Sequence, residues 1–190
     1  IANESITPYI QELKLSLDTI EKGGFPHFML KEIYEQPDTL RTCIQGRVDA
    51  IGSKIVLGGV ADFESEIVKA KRILLLGQGT ALHAAMIGEY LFEKLAGIPT
   101  EVEFASEFRY RNPIVEEGTV AIAVSQSGET ADTLAAVQES KRRGATTLGV
   151  VNVVGSSIAR ETDAGVYLRV GPEIGVASTK AFLGQMLVLY

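Results

Sequence analysis

An α/β fold, a three-layer αβα sandwich around a five-stranded parallel sheet, is predicted for this chain by three observations. From Phe63 onward short apolar runs alternate with helical patterns, the arrangement that a parallel sheet covered on both faces requires. Two of those runs end in turns rich in glycine and hydroxyl residues, each opening into a helix: Gly77-Gln78-Gly79-Thr80-Ala81 and Ser125-Gln126-Ser127-Gly128-Glu129-Thr130. Hydrophobic residues make up 46% of the 190, enough to bury one full core.

The first 45 or so residues read differently from the rest. Alternation across Ile10 to Leu17 predicts a short half-exposed strand, and Gly23-Gly24-Phe25-Pro26 breaks the chain after it. A helix over Met29–Tyr34 should stop before Pro37, because a residue preceding proline avoids the helical region. Asp38 or Thr39 can cap a further helix running to about Val48.

The strands expected in the sheet are Arg72–Leu76, Thr100–Phe104, Val120–Val124, Thr147–Val151 and Gly165–Val170. Helices are expected at Asp62–Ala70, Thr80–Ala96, Thr130–Arg143 and Ser157–Thr162, with a last one beginning near Ser178. Ala84, Ile87, Leu91 and Leu95 recur at spacings of three and four and mark an apolar face on the second of these, which Gly97 stops. Right-handed crossovers favour the spatial order 2-1-3-4-5, in which the chain reverses direction between strands 1 and 3. The loops after those two strands splay apart there, and they are the two hydroxyl-rich turns.

A formal charge of −6 disfavours nonspecific nucleic-acid binding, which depends on clustered lysine and arginine. The one basic cluster, Lys141-Arg142-Arg143, falls where a helix should end and complements its dipole. Cys43 is the single cysteine, so no intrachain disulfide is possible and a reducing compartment is expected. No apolar run reaches the length of a membrane span. The chain begins at Ile1 without methionine and stops inside the apolar helical pattern Ala181 to Tyr190, so it is expected to be a piece of something longer.

Phosphate binding is the chemistry that the two turns support. Backbone N–H groups at a helix N-terminus lack intrahelical acceptors, and the peptide dipoles place roughly half a positive charge beside them. Gly79 and Gly128 permit close backbone approach, while Thr80, Ser125, Ser127 and Thr130 supply donors. Capping and turn formation account for any one of these residues equally well. The Walker pattern is absent, and a dinucleotide fingerprint fails at Leu82, although Glu103 could mimic its ribose-binding acid. A phosphomonoester on a small polar molecule fits better, held without metal, cofactor or lysine. Glu173-Ile174-Gly175-Val176-Ala177-Ser178-Thr179-Lys180 leads into another helix that can line the same crevice, with Lys180 either on a solvated face or paired with an acid. His83 reads as a packed or solvent-facing residue. Glu107 to Arg111 reads equally as a subunit contact or a surface salt-bridge network.

Ser125 to Thr133 and Glu173 to Phe182 together resemble the sugar isomerase (SIS) domain of the glutamine–fructose-6-phosphate amidotransferase family. Phe28 to Pro37 and Ala105 to Arg111 match further stretches of it, so the resemblance runs from about Gly23 to the last residue. It implies a flavodoxin-like SIS domain over residues 46–190, preceded by a leader, residues 1–45, that follows a glutaminase domain. The implied activity of the whole enzyme transfers ammonia from glutamine onto fructose 6-phosphate and isomerises the product to glucosamine 6-phosphate. Within the family the phosphate is held by residues matching Thr80, Ser125, Gln126, Ser127 and Thr130, with backbone help around Gly79 and Ala81. Val176 and Ser178 match positions beside the sugar. The family usually reads Cys-Gly-Thr-Ser-Tyr-His where this chain has Gln78-Gly79-Thr80-Ala81-Leu82-His83, so one hydroxyl is lost at Ala81. The resemblance further implies a cytoplasmic homodimer, a hexose 6-phosphate ligand and a second SIS domain that supplies the acid–base groups, leaving no catalytic residue in this fragment. A sugar-phosphate isomerase or deglycase, and a sugar-phosphate-sensing regulator, are the alternatives.

Overall fold

The computed structural model describes residues 21–190, so the strand expected within Ile10–Leu17 lies outside the described residues. The chain opens with α1 (Phe28–Ile44), the strand pair β1 (Val48–Asp49) and β2 (Lys54–Ile55), a 3-10 segment (Gly58–Phe63) and α2 (Glu64–Val68). Strand and helix then alternate: β3 (Arg72–Gly77), α3 (Thr80–Leu91), β4 (Thr100–Phe104), α4 (Ala105–Phe108), β5 (Thr119–Ser125), α5 (Ala131–Arg142), β6 (Thr146–Val151), α6 (Ser157–Glu161), β7 (Ala164–Tyr167) and α7 (Lys180–Leu189).

The five main strands form one parallel sheet in the order β4-β3-β5-β6-β7, which is the expected 2-1-3-4-5. Register aligns the apolar positions across it: Leu75 sits beside Val102 and Ile122, and Ile122 beside Leu148. Because side chains alternate along a strand, Ile73 and Leu75 of β3 face one layer while Leu74 and Leu76 face the other. The first layer packs Ala81 and Ala85 of α3 with Ala181 and Leu189 of α7. The second packs Phe108 of α4 and Ala136 of α5. These strand residues are almost wholly buried, and each leucine removed from water contributes about 1.5–3 kcal/mol.

Several expectations need correction. The helix does not stop at Pro37: α1 runs straight through it. Pro37 lies on the exposed side, while Thr39 and Cys43 are buried where α1 packs against α7. Tertiary burial therefore outweighs the roughly 3 kcal/mol that an interior proline costs. On α3 the buried positions are Ala81, Leu82, Ala84, Ala85 and Gly88, while Ile87, and Leu95 in the turn that follows, are exposed. Small residues face inward there because the helix lies close to the sheet and to α7; a Cβ on Gly88 would stand 3.0 Å from Leu189 Cδ1 and 3.3 Å from Leu75 Cδ1. The helix expected over Asp62–Ala70 is instead a 3-10 segment followed by the short α2, and the last helix begins at Lys180. Of the two readings open for Lys180, the pairing with an acid holds: the residue is buried, with its ammonium 2.7 Å from Glu35 of α1.

Other signals appear where the sequence puts them. Gly97 ends the π-helical turn Phe92–Ala96 in the left-handed conformation. At the end of α5, Arg142 and Arg143 pair with Glu139, and Lys141 pairs with Asp163. No helix among the described residues is long and apolar enough to cross a membrane.

Candidate functional site

The reversal of direction between β3 and β5 opens a crevice at the carboxyl ends of the strands. A cavity of about 420 Å3 occupies it, within the range of small-molecule sites. Gly79, Thr80, Ala81, Ser125, Gln126, Ser127, Thr130, Val176 and Ser178 all line this cavity. Three segments distant in sequence thus meet at one place.

Two helix N-termini point at the cavity, and no side chain caps either of them. Gly79 precedes α3 with φ of 56° and has no side chain to offer. Thr130 precedes α5, and its hydroxyl turns away from the helix toward Ser125, at 3.2 Å. First-turn N–H groups of both helices are therefore left to an external acceptor, with the positive ends of two dipoles behind them.

The serine loop is braced from within. Ser125 Oγ, buried at the end of β5, accepts the N–H of Gly128 at 3.0 Å, and Ser127 Oγ accepts the N–H of Glu129 at 3.1 Å. Each hydroxyl that accepts inside the loop keeps its own proton for another partner. Gly128 has φ of 66°, and a Cβ there would stand 2.0 Å from Ser156 Oγ, so only glycine fits. Glu129 points away from the cavity and accepts the N–H of Ser157 at the start of α6, at 2.8 Å. Hydrogen bonds from Ser157 hold its carboxyl below the usual carboxylate range.

The opposite wall, residues 173–178, is held by two carboxylates. Glu173 accepts the Ser178 hydroxyl at 2.7 Å and the N–H groups of Thr179 at 2.8 Å and Ala181 at 3.2 Å, which caps α7. Ser178 consequently spends its proton on Glu173 and faces the cavity as an acceptor. Glu32, buried on α1, accepts the N–H of Ile174 at 2.6 Å and of Gly175 at 3.1 Å. Val176 is fully exposed at the rim. Ala81 lies at the mouth of α3 and presents only a methyl.

Several residues singled out in the sequence stand elsewhere. Glu103 is ion-paired with Arg111 and does not line the cavity, which removes the ribose-binding role considered for it. The Glu107–Arg111 stretch supplies that salt bridge, and Arg109 lies over the Tyr110 ring. His83 is exposed on α3. Cys43 is buried on α1, where burial pushes its thiol up, and it does not line this cavity, so it is no nucleophile for it. Among the described residues no group of His, Cys, Asp and Glu is arranged to hold a metal.

Sequence reasoning named the segments that hold Gln78, Glu173, Gly175 and Ala177 without singling these residues out, and it missed Val124 and Gln185 as lining residues and the supporting role of Glu32. Gln185 carried a readable signal as the one polar side chain in the apolar stretch from Ala181 to Leu189. Nothing local marks Glu32, whose partners lie 142 and 143 residues away.

Comparison with known proteins places this geometry. Over 189 residues the chain is 53% identical to the glutamine–fructose-6-phosphate aminotransferase (isomerizing) of Bacteroides thetaiotaomicron, covering 100% of this chain and 31% of the relative. The protein of the same name from Chlorobaculum tepidum is 56% identical over 181 residues, 95% of this chain and 30% of its own length. The chain thus spans a little under a third of these curated relatives. Among solved structures, the C-terminal domain of glucosamine-fructose-6-phosphate aminotransferase from Francisella tularensis superposes with a TM-score of 0.80 at 41% identity, covering 89% of this chain and 47% of that one. A glucosamine-6-phosphate deaminase from Thermotoga maritima gives 0.68 at 25% identity, covering 86% and 48%. The family profile described as SIS domain matches residues 66–190, a span that begins in α2 and takes in the whole parallel sheet and every segment around the cavity. By that match, and by the fold that carries it, the chain belongs to the SIS domain family.

Proposed function

We propose that this chain is the sugar-phosphate-binding part of a glutamine–fructose-6-phosphate aminotransferase, and that its cavity takes a hexose 6-phosphate. One observation carries the reading: two uncapped helix N-termini and the hydroxyls of Ser127 and Thr130 converge on a single cavity. A phosphate dianion accepts from all of them at once, each bond to the charged oxygen being worth about 1.5–3 kcal/mol. Thr80, Ser125, Gln126, Ser127 and Thr130 hold the phosphate, with the backbone at Gly79 and Ala81. Val176 and Ser178 lie beside the sugar. The names of the two bacterial relatives support fructose 6-phosphate as the ligand.

In this reading the whole enzyme forms glucosamine 6-phosphate from fructose 6-phosphate and glutamine, with residues 1–45 leading from a glutaminase domain and 46–190 forming the first SIS domain. It works as a cytoplasmic homodimer. Proton transfer between C1 and C2 needs a general acid or base. Among the described residues Glu173 is the one ionisable side chain lining the cavity, and its carboxylate is taken up in capping α7. The isolated chain accordingly binds ligand without turning it over, and the second SIS domain supplies the acid–base groups.

Calorimetric titration tests this directly. Fructose 6-phosphate and glucosamine 6-phosphate should bind the chain, with Ser127→Ala and Thr130→Ala each weakening affinity by about 1–3 kcal/mol. Absence of binding by the unsubstituted chain, or full affinity in both variants, would rule the reading out.

A further inference from the structure

Gln185 sits in the middle of α7, fully buried, and its side chain lines the cavity alongside Ala81, Val124 and Ser125. Neither its Nε2 nor its Oε1 has a hydrogen-bond partner among the described residues. Leaving one buried polar atom unpaired costs about 1–3 kcal/mol, and here both ends of one amide are unpaired. An apolar residue would fill this helix position at no such cost. The neighbours that could satisfy the amide are otherwise engaged: Ser125 Oγ serves Gly128 and Thr130, and Ser178 serves Glu173.

Resting on the sugar-phosphate reading above, we propose that Gln185 is a specificity-determining residue that reads a hydroxyl group of the bound sugar. The amide presents a donor nitrogen and an acceptor oxygen side by side, and a hydroxyl is the ligand group that answers both, accepting from Nε2 and donating to Oε1. A phosphate dianion only accepts, so it would satisfy Nε2 and set its charge against the Oε1 lone pairs. The two uncapped helix ends and the serine loop therefore take the anion, and α7 takes the polyol. An analogue that lacks the hydroxyl strands the amide again, which is how such a site discriminates.

The test compares Gln185→Met, which keeps the side-chain length without polar atoms, against the unsubstituted chain with two probes, fructose 6-phosphate and inorganic phosphate. Fructose 6-phosphate should bind the variant about tenfold more weakly, while inorganic phosphate binds both alike. Melting temperature without ligand should hold or rise, since an unpaired amide has been removed. In the unsubstituted chain, the Gln185 side-chain amide resonances should move on adding fructose 6-phosphate and stay in place with inorganic phosphate, a readout that does not need the variant to fold. If the unsubstituted chain binds fructose 6-phosphate but the variant binds it within twofold, or if those resonances stay still, the assignment to Gln185 falls and the sugar-phosphate reading stands. Equal weakening toward both probes also overturns it, and failure of the unsubstituted chain to bind either probe removes both.

Discussion

Glu32 reaches across from α1 and accepts the backbone N–H groups of Ile174 and Gly175, so a helix ahead of the sheet sets the wall of a cavity built at the far end of the chain. Hydrogen bonds to a charged acceptor are worth about 1.5–3 kcal/mol. Glu32→Ala should lower stability by about 2 kcal/mol and weaken hexose phosphate binding several-fold, because Val176 and Ser178 follow directly on the released backbone. Glu32→Gln keeps an acceptor oxygen and should recover most of the loss. Thermal denaturation and calorimetry on the two variants measure both effects.

Lys180 and Glu35 form an asymmetric pair: the lysine is buried, and a third of the Glu35 side chain meets solvent. Lys31 also approaches Glu35, at 3.6 Å. Removing the carboxylate strands a buried ammonium, whereas removing the ammonium leaves a carboxylate that can turn to water. Glu35→Ala should therefore cost about 3 kcal/mol and Lys180→Met about 1. Denaturant unfolding of each single variant and the double variant would show equal losses if burial did not decide the outcome.

Gly128→Ala meets two obstacles, a left-handed backbone and a Cβ in contact with Ser156 Oγ. About 2–3 kcal/mol of destabilisation is expected, together with loss of ligand binding as the serine loop shifts. Ser156→Gly in the same chain should restore part of the stability by clearing the contact, though not the strain at φ of 66°. Circular dichroism melts of the single and double variants test the partition.

Hydrogen bonds from Arg142 and Arg143 lower the Glu139 carboxyl from 4.5 to about 2. Its folded-state value lies below its unfolded value, so the stabilisation is fully present above about pH 4.5 and disappears as pH falls toward 2. Arg142 is mostly exposed, so solvent screens the interaction, which keeps its contribution small and makes it sensitive to salt. Stability of Glu139→Gln relative to the unsubstituted chain, followed from pH 6 to pH 2 (a range of about four units), should show the difference closing at the acid end.

Much of the sheet was legible because its signals are local. Ile73 to Leu76 and Val120 to Val124 are continuous apolar runs too short for helices, and each ends in residues that can only turn the chain. The strand order followed from crossover handedness. The N-terminal helix was misread at Pro37 for the opposite reason, since what keeps it straight is its burial against α7. On α3 a spacing rule selected mainly large residues, while the close approach of α7 and the sheet puts alanine and glycine at most of the buried positions, Leu82 excepted.

The amino-acid sequence by itself determined the alternation of strand and helix, the two hydroxyl-bearing turns and the glycines that bend them, because each depends on a residue's own backbone preferences and its nearest neighbours. Tertiary structure alone decided that Glu32 would hold the 173–178 wall, that Lys180 would be buried against Glu35, and that Gln185 would face the cavity with its amide unpaired. Those outcomes depend on how α1 and α7 pack together, a relation among residues about 140 positions apart that no local pattern encodes.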